Sequence, residues 1–388
     1  MSSDVVVIGG GPIGLTAGRA AAEAGAAVEI VERRRPEDAP SCCTGLVSPA
    51  TLPTLGVSDA SVLCRIRAVR LHLPTGRTID LRSKHVKAVV LDRKVLEREL
   101  RQRAQDAGAR LHFSTEAVAT SHGNVQVRSD ETTRTLDTFI IIGADGPDSR
   151  VASWFSLDPP SLSVSAAQVE LDAAAPCEDR VDIFVGETVA PGFFGWAVPA
   201  GPGVVRVGVG VTPPHAPMMV LDRLLDAHFP GARVRSRAAG RIPLERVPRP
   251  AADGLLLVGD AAGHVKPLSG GGLYVGGRCA RIAADLAAQA VRDPAGHERI
   301  ATRYLERCDE AVGRELTFGT TLRHYLSRLH DADVEQMVDA INDPALLDFL
   351  ADHADIDAFH TLPDLLSSEP RLWSSMLRLV PLLGAVRG

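Results

Sequence analysis

The first 32 residues alternate between continuous apolar runs and a segment with helical spacing. The runs DVVVI and AVEIV are short and rich in β-branched residues, which is typical of buried strands. Residues 11–25, which separate them, are rich in alanine and place apolar side chains at helical intervals. This order predicts a βαβ unit at the start of the chain.

The alternation of strand-like and helix-like segments recurs further along the chain. Residues 91–107 have apolar positions at helical spacing, and strand-like sequence (GARLHFSTEAV) follows them. FIIIG predicts a buried strand, and LLLVG predicts another one ahead of an alanine-rich helix at 276–291. Buried strands that alternate with helices indicate a parallel sheet covered by helices.

Residues 161–250 differ from both flanking regions. They contain short β-rich runs separated by glycine and proline, which indicates an antiparallel sheet. The sequence therefore predicts an α/β fold with a discontinuous Rossmann-type domain, an antiparallel-sheet domain for the substrate and a C-terminal helical region. The predicted boundaries are 1–64, 86–158 and 249–292 for the first domain, 65–85 and 159–248 for the second, and 293–388 for the helical region.

Composition and charge narrow the class of protein. Of the 388 residues, 45% are hydrophobic and 23% charged, and the net charge of −6 offers no basic field for nucleic acid. We find no leader sequence and no apolar run of the ~18 residues that a membrane span needs, so we expect a cytoplasmic protein. The apolar segment 373–386 has two interpretations: it packs against the body, or it makes a peripheral membrane contact.

Six cysteines, at 42, 43, 64, 177, 279 and 308, are scattered along the chain. They show no paired metal-ligand spacing, and a cytosolic chain keeps its thiols reduced. We therefore predict neither a disulfide framework nor a metal site.

A glycine-rich motif follows the first strand. Gly9, Gly11 and Gly14 form G-x-G-x-x-G, with Pro12 within it, and Glu32 ends the next strand. Such glycines allow a tight turn and let a pyrophosphate approach the helix N-terminus, while the acid accepts hydrogen bonds from ribose hydroxyls. The combination predicts a dinucleotide site.

Two further motifs indicate which dinucleotide binds. Asp260 follows a buried strand, where its carboxylate can hold a polyol chain such as ribityl, and PLSGGG (267–272) precedes a helix whose first amides can face a flavin's pyrimidine edge. GADGPDSR follows the third strand. With GGGPIG and GDAAG, it resembles the motif set of the FAD-dependent para-hydroxybenzoate hydroxylase fold over about 290 residues.

That resemblance implies FAD in the discontinuous domain. No second G-x-G-x-x-G unit is visible for a nicotinamide domain, so the electron donor stays open between NAD(P)H, ferredoxin and reduced flavin, and an electron-donor protein is one option. Arg93 and Arg150 either reach cofactor phosphates or pair with surface acids. The predicted cofactor residues are Gly9, Gly11, Pro12, Gly14, Glu32, Arg33, Arg93, Asp145, Gly146, Gly259, Asp260, Pro267, Gly270, Gly271 and Gly272.

Within this fold the sequence is most similar to the geranylgeranyl reductase group. CTGLVS (43–48), PGFFGWAVP (191–199) and GDAAGHVKPLSGGG (259–272) match the group's C-x-G-(L/I)-V-S, P-x-x-Y-x-W-x-F-P and GDAAG-x-x-x-P-x-x-G-G-G. Phe194 replaces the usual tyrosine and Val198 the frequent phenylalanine. The residues predicted to contact a hydrophobic prenyl substrate are Gly45, Leu46, Val47, Phe193, Phe194, Trp196 and Pro199.

The resemblance implies saturation of isolated prenyl double bonds. This reaction needs a hydride from reduced flavin, a proton donor and a dry site. The thiol of Cys43 is the predicted donor, because a free thiol is mostly protonated at neutral pH. The other interpretation is that Cys43 is a small buried filler, and Cys42 has no predicted task.

Two other functions fit parts of the pattern. A monooxygenase or halogenase has the same fold, and FGWAVP keeps the second tryptophan and the proline of the halogenase W-x-W-x-I-P strand. A non-catalytic prenyl-binding escort protein has a related architecture, but the intact GADG and GDAAG motifs argue against it.

Overall fold

The computed structural model describes residues 3–38, 43–121, 123–175, 177–293 and 299–372. Its first sheet has parallel strands in the order β18, β11, β1, β2, β8. Val5, Val6 and Val7 in the middle strand have no solvent exposure, because Val5 and Val7 pack against helices on one face and Val6 packs against an antiparallel arm of residues 115–137 on the other. The strands are β1 (Ser3–Ile8), β2 (Val28–Val31), β8 (Arg110–His112), β11 (Thr132–Gly143) and β18 (Leu255–Leu257).

This first sheet is not wholly parallel. β17 (Ala251–Ala252) pairs antiparallel with β18, and β9 (Thr115–Ser121), β10 (Asn124–Ser129) and the first half of β11 form an antiparallel arm. The sequence pattern had indicated a parallel sheet throughout this part of the chain. Strands joined by so few residues must run antiparallel, because a parallel pair needs a long crossover.

A second sheet of seven strands has the order β16, β12, β15, β14, β13, β5, β6. All of its neighbouring pairs are antiparallel except β13 with β5. Its strands are β5 (Ala68–His72), β6 (Thr78–Arg82), β12 (Ser163–Asp172), β13 (Arg180–Phe184), β14 (Gly195–Pro199), β15 (Val204–Val211) and β16 (Arg233–Pro243).

A third sheet, which the sequence did not predict, joins three short strands in the order β3, β7, β4. These are β3 (Leu46–Val47), β4 (Val62–Ile66) and β7 (Ala88–Leu91), all paired antiparallel. β3 lies within the segment CTGLVS. The pairing therefore fixes this segment beside the buried strand β7.

The helices cover the first sheet and extend beyond it. α1 packs against α3 and α6, and Gly18 of α1 lets the helix approach Ile30, since an ideal Cβ there would lie 2.4 Å from Ile30 Cδ1. The helices are α1 (Pro12–Glu23), α2 (Thr51–Leu55), α3 (Arg93–Asp106), α4 (Arg150–Trp154), α5 (Pro217–His228), α6 (Leu273–Arg292), α7 (Ile300–Cys308), α8 (Arg314–Leu326), α9 (Asp331–Ile341), α10 (Pro344–His353) and α11 (Leu362–Ser367).

The C-terminal helices dock on the sheets through polar contacts as well as apolar ones. Lys87 Nζ donates to the carbonyl oxygens of Asp352 and Ala354 at 2.6 and 3.1 Å, and Ser83 Oγ donates to Asp352 Oδ1 at 3.0 Å. Within the described ranges, none of the helices is long and apolar enough to cross a membrane. The segment 373–386, for which we predicted a membrane contact or packing on the body, lies outside those ranges.

Candidate active site

The turn between β1 and α1 is built by three glycines with different tasks. Gly9 has a φ of +111°, and an ideal Cβ would lie 2.2 Å from Ala144 O in the GADG loop. A Cβ on Gly14 would lie 1.9 Å from Gly9 O, so that glycine lets the helix approach the turn. At Gly11 a Cβ would meet no protein atom within 4 Å.

The N-terminus of α1 has no protein group from the described ranges packed against it at Gly11. Gly11 is the N-cap residue, no side chain caps the helix, and Pro12 occupies its first position. The first amides of α1 therefore lack a protein side chain as acceptor. Such an end favours an anion, as a pyrophosphate would require.

Glu32 is fixed at the end of β2. It is 8% exposed, and its carboxylate accepts hydrogen bonds from the backbone nitrogens of Gly10 at 2.7 Å and Arg34 at 2.8 Å. The carboxylate therefore lies beside the glycine turn, where a ribose would follow the pyrophosphate. Arg33, in contrast, is exposed in a charged cleft of about 480 Å³ that Arg34 and Arg128 also line.

Asp260 lies beside the N-terminus of α6. An ideal Cβ on Gly272, the N-cap residue of α6, would lie 3.1 Å from Asp260 Oδ1. Desolvation by the surrounding protein raises the pKa of the Asp260 carboxyl to about 6, and the charge of Arg93 opposes that rise. The side chain is half-buried nonetheless, so part of its surface faces a space that a ligand can fill.

The glycine loop before α6 is closed by Lys266. Its backbone nitrogen donates to Gly271 O at 3.1 Å, and its carbonyl accepts from Gly270 N at 2.9 Å. Gly270 has a φ of +71°, and α6 has no side-chain cap. Pro267 begins this loop and lies beside α8, because a Cβ on Gly319 of α8 would be 3.0 Å from its Cδ.

The GADG loop acts through its backbone and through a helix cap. The carboxylate of Asp145 accepts hydrogen bonds from Ser149 Oγ at 2.6 Å, Arg150 N at 2.8 Å and Val151 N at 3.1 Å, which caps α4. At Gly146, φ is +92° and a Cβ would meet nothing within 4 Å. Arg150 Nη1 pairs with Glu116 at 2.6 Å, which matches the surface-pair interpretation of this arginine.

Arg93 connects the cofactor motifs with the cysteine segment. It opens α3, its Nη2 donates to Glu97 Oε1 at 2.7 Å, and the side chain of Cys43 lies close enough to its guanidinium to raise the pKa of Arg93. Burial alone would lower the pKa of Arg93, but Cys43 and Glu97 raise it above its ordinary value. Its Nε is buried without a hydrogen-bond partner among the described residues, which leaves a donor for a ligand oxygen. Cys42 lies outside the described residues.

Two residues that the sequence analysis did not select hold the segment 43–46 in place. Gln168 of β12 donates to Cys43 O at 3.3 Å, and its Oε1 accepts from Thr44 Oγ1 at 3.0 Å and from Trp196 Nε1 at 3.2 Å. Arg206 of β15 donates to Thr44 O at 2.8 Å and Leu91 O at 2.9 Å. Both are buried polar residues in apolar strands, and that pattern was the available signal.

Gly45 is the turn of this segment. Its φ is +75°, and an ideal Cβ would lie 2.6 Å from Leu91 O and 2.9 Å from Arg206 Nη1. A side chain at this position would therefore separate β3 from β7 and displace Arg206.

An apolar wall continues from this segment. Phe193 and Phe194 stack with ring centroids 4.2 Å apart, and Phe194 meets the edge of Trp196 at 5.9 Å. Leu46 packs in the same cluster as Phe194 and Trp196. Gly208 makes room for the indole, since a Cβ there would lie 2.4 Å from Trp196 Cζ2.

Two of the residues predicted to contact substrate lie apart from that wall. Val47 points to the opposite side from Leu46 and joins the core beneath the first sheet, as strand alternation requires. Pro199 ends β14 and pairs with Val205. The structure therefore brings Cys43, Gly45, Leu46, Phe193, Phe194 and Trp196 together, but not Val47 or Pro199.

A buried cluster lies behind Asp260. The ligand atoms of His264, Cys279 and Cys308 are within 4.8 Å of one another, and His264 Nδ1 is without a hydrogen-bond partner among the described residues. Burial lowers the pKa of His264 to about 3, and the charge of Arg246 acts in the same direction. Three ligands are one fewer than a closed tetrahedral zinc site requires.

The residues around the β1–α1 turn fit a flavin dinucleotide. They offer an uncapped helix end at Gly11, an acid at the ribose position, a half-buried carboxylate at Asp260 and a second uncapped helix end at Gly272. Each feature matches one part of FAD: the helix end at Gly11 the pyrophosphate, Glu32 the ribose, Asp260 the ribityl chain, and the helix end at Gly272 the flavin ring.

Comparisons with known proteins identify the cofactor. The family described as "FAD binding domain" matches residues 2–207. The digeranylgeranylglycerophospholipid reductase of Methanothrix thermoacetophila is 31% identical over 88% of this chain and 92% of its own length. The predictions of an α/β fold class and of FAD are confirmed.

Solved structures share the fold. A geranylgeranyl bacteriochlorophyll reductase-like protein from Thermoplasma acidophilum has a TM-score of 0.84 and 23% identity, covering 98% of this chain and 99% of its own. A probable FAD-dependent monooxygenase from Pseudomonas aeruginosa has a TM-score of 0.66 and 20% identity, covering 84% of this chain and 97% of its own. At these identities the likeness concerns the fold.

The glycine turn yields a matched pair of substitutions. We expect Gly14→Ala to lower the free energy of unfolding of the FAD-free protein by about 2 kcal/mol or more, because its Cβ would overlap Gly9 O. Gly11→Ala should change that free energy by less than about 1 kcal/mol but weaken FAD binding at least about tenfold. Urea denaturation and fluorescence titration with FAD measure the two effects. FAD affinity unchanged in Gly11→Ala would place the pyrophosphate elsewhere.

Asp260 gives a pH-dependent prediction. Its pKa is raised in the folded state, so ionisation costs stability above about pH 6 and nothing below the unfolded value near 4. We expect Asp260→Asn to stabilise the FAD-free protein by about 2 kcal/mol at pH 7.5, with the advantage disappearing toward pH 4. Urea denaturation of both proteins across this range measures it. A difference that is independent of pH would contradict the assigned cause.

Proposed function

The chain belongs to the digeranylgeranylglycerophospholipid reductase family of FAD-dependent oxidoreductases, and on that premise we propose that it saturates isolated double bonds of an isoprenoid substrate. The name of the Methanothrix relative makes an isoprenoid glycerophospholipid the first substrate to test. A quinone side chain and a terpenoid intermediate are the other candidates.

The position of Cys43 is the main support for this proposal. Its side chain lies close enough to Arg93 to raise the pKa of that arginine, the charge of Arg93 acts on Asp260, and Cys43 is three residues from Leu46 in the apolar wall. A proton donor thus lies where the predicted flavin side meets an apolar surface. An isolated alkene needs that combination, because neither water nor a polarising group activates it.

Bound FAD in its reduced form supplies a hydride for one carbon of the alkene. Cys43 donates the proton to the other carbon, and Arg93 stabilises the thiolate that remains by a charge-assisted hydrogen bond. Gln168 and Arg206 hold the segment that presents the thiol. A proton from solvent restores the thiol after product release.

The apolar wall has the task of excluding water and orienting the chain. Leu46, Phe194 and Trp196 form it, and Trp196 is only 7% exposed. Phe194 and Val198 depart from the group's Tyr and Phe, so the wall lacks a phenol that could hydrogen-bond a headgroup. We therefore propose recognition of the isoprenoid chain rather than of a headgroup at this point.

Three further parts of the proposal concern the whole chain. We propose that the chain divides into an FAD-binding domain, a substrate domain and a helical region at the boundaries predicted from the sequence. Peripheral membrane contact by segment 373–386 would bring the enzyme to a lipid substrate. The electron donor is NAD(P)H, ferredoxin or reduced flavin.

Reduction of substrates under anaerobic conditions tests the proposal. The bound flavin is photoreduced, and a panel of prenylated lipids, quinones and terpenoids is added without oxygen. We expect flavin reoxidation together with a mass gain of two hydrogens per bond reduced. The proposal would be contradicted if the reduced enzyme reduced no member of the panel but formed a long-lived oxygen adduct. That result would favour a monooxygenase or halogenase.

Substitution of Cys43 tests the proton donor. We expect Cys43→Ala to bind FAD with wild-type affinity and absorbance but to lose alkene reduction by at least about 10²-fold, because the proton no longer has a positioned source. Single-turnover reoxidation of the photoreduced flavin measures the rate. Cys177→Ala is the matched control, since that thiol is half-buried beside Asp179 and Arg82, outside the candidate site. Full activity in Cys43→Ala would remove the thiol from the mechanism, and loss of FAD would make its role structural.

A further inference from the structure

Lys266 and Asp357 form a buried ion pair beside the glycine loop. Lys266 is 6% exposed and Asp357 9% exposed, and the ammonium nitrogen lies 2.7 Å from Asp357 Oδ1. The same nitrogen donates to Ile356 O at 2.7 Å. Pairs that are this deeply buried are costly to desolvate, so a purely stabilising role explains them poorly.

The pair joins three distant parts of the chain. Lys266 belongs to GDAAGHVKP, Asp357 belongs to the C-terminal helical region, and the second oxygen of Asp357 accepts a hydrogen bond from Ser48 Oγ of CTGLVS. Ile356, next to Asp357, packs against the cluster that contains Trp196. The C-terminal region therefore places one carboxylate between two of the sequence motifs.

The lysine is the member of the pair that lies nearer to the glycine loop. An ideal Cβ on Gly271 would be 3.0 Å from Lys266 Cε and 3.6 Å from its Nζ. The backbone of Lys266 also closes the loop through Gly270 and Gly271. The ammonium group thus lies beside Gly271, one residue before the N-cap of α6, whose first amides are the groups expected at the pyrimidine edge of a flavin.

We propose that Lys266 and Asp357 together set the charge at the pyrimidine edge of FAD and thereby its reduction potential. Two-electron reduction adds negative charge to this part of the ring system, so a neighbouring positive charge favours the reduced form. Asp357 offsets that effect while the C-terminal region is docked. The proposal rests on the FAD site described above, and not on which substrate is reduced.

The redox equilibrium of the holoenzyme tests this proposal. At the potential where wild-type flavin is half reduced, we expect Lys266→Met to lower the ratio of reduced to oxidised flavin roughly tenfold, because an unpaired carboxylate remains. Asp357→Asn should raise the ratio roughly tenfold. A tenfold change corresponds to about 30 mV for a two-electron couple. Absorbance at equilibrium with a reference dye, under anaerobic conditions, gives the ratio.

Three controls separate charge from structure. The double variant Lys266→Met/Asp357→Asn is neutral like the native pair and should return to within about threefold of wild type. Lys266→Arg keeps the charge, and Ser48→Ala removes a hydroxyl that bonds Asp357 and Thr51 but removes no charge, so both should stay close to wild type. If only one of the two single variants retains FAD, comparing its redox ratio with that of the double variant is enough to test the proposal.

The possible results are distinct. Opposite shifts in the single variants, or one single shift that the double variant reverses, support the proposal. Shifts below twofold, shifts of the same sign, or a double variant displaced as far as a single one would overturn it. The redox measurement needs no alkene. If the potentials shift as expected but the protein reduces no isoprenoid, the result contradicts the proposed function and leaves the proposal about Lys266 and Asp357 intact.

Discussion

The candidate site depends on the interactions of one buried group, the guanidinium of Arg93. It donates a hydrogen bond to Glu97, it lies close enough to Cys43 for that side chain to raise its pKa, and its charge lowers the cost of ionising Asp260. A buried cation needs such neighbours, because desolvation is otherwise unfavourable. Arg93 therefore ties the thiol segment to the cofactor motif, although 50 residues along the chain separate it from Cys43 and 167 separate it from Asp260.

The antiparallel sheet fixes the other side of the thiol segment. Gln168 and Arg206 satisfy its backbone carbonyls, and Gln168 also accepts from the indole of Trp196. One amide side chain thus aligns the proposed proton donor with the apolar wall. Because buried polar groups are costly when unpaired, these bonds favour a single arrangement of the segment.

The sequence was sufficient for features that depend on contiguous residues. Gly9 and Gly14 indicate the turn because only glycine fits their close backbone contacts, and the apolar periods predict the main strands and α3. Contacts between distant residues could not be derived in this way. The pairing of Lys266 with Asp357 needs the three-dimensional fold, and so does the helix cap made by Asp145, whose motif had indicated only a place near the cofactor.

A crystal structure of the FAD complex with an unreactive isoprenoid analogue tests the central claim most directly. The claim is that one thiol lies between a flavin and an apolar wall. We expect the pyrophosphate at Gly11, the flavin ring beside Gly270–Gly272, and the isoprenoid chain against Leu46, Phe194 and Trp196, with its alkene in contact with Cys43. An analogue bound away from Cys43, or a flavin ring out of reach of it, would contradict the account.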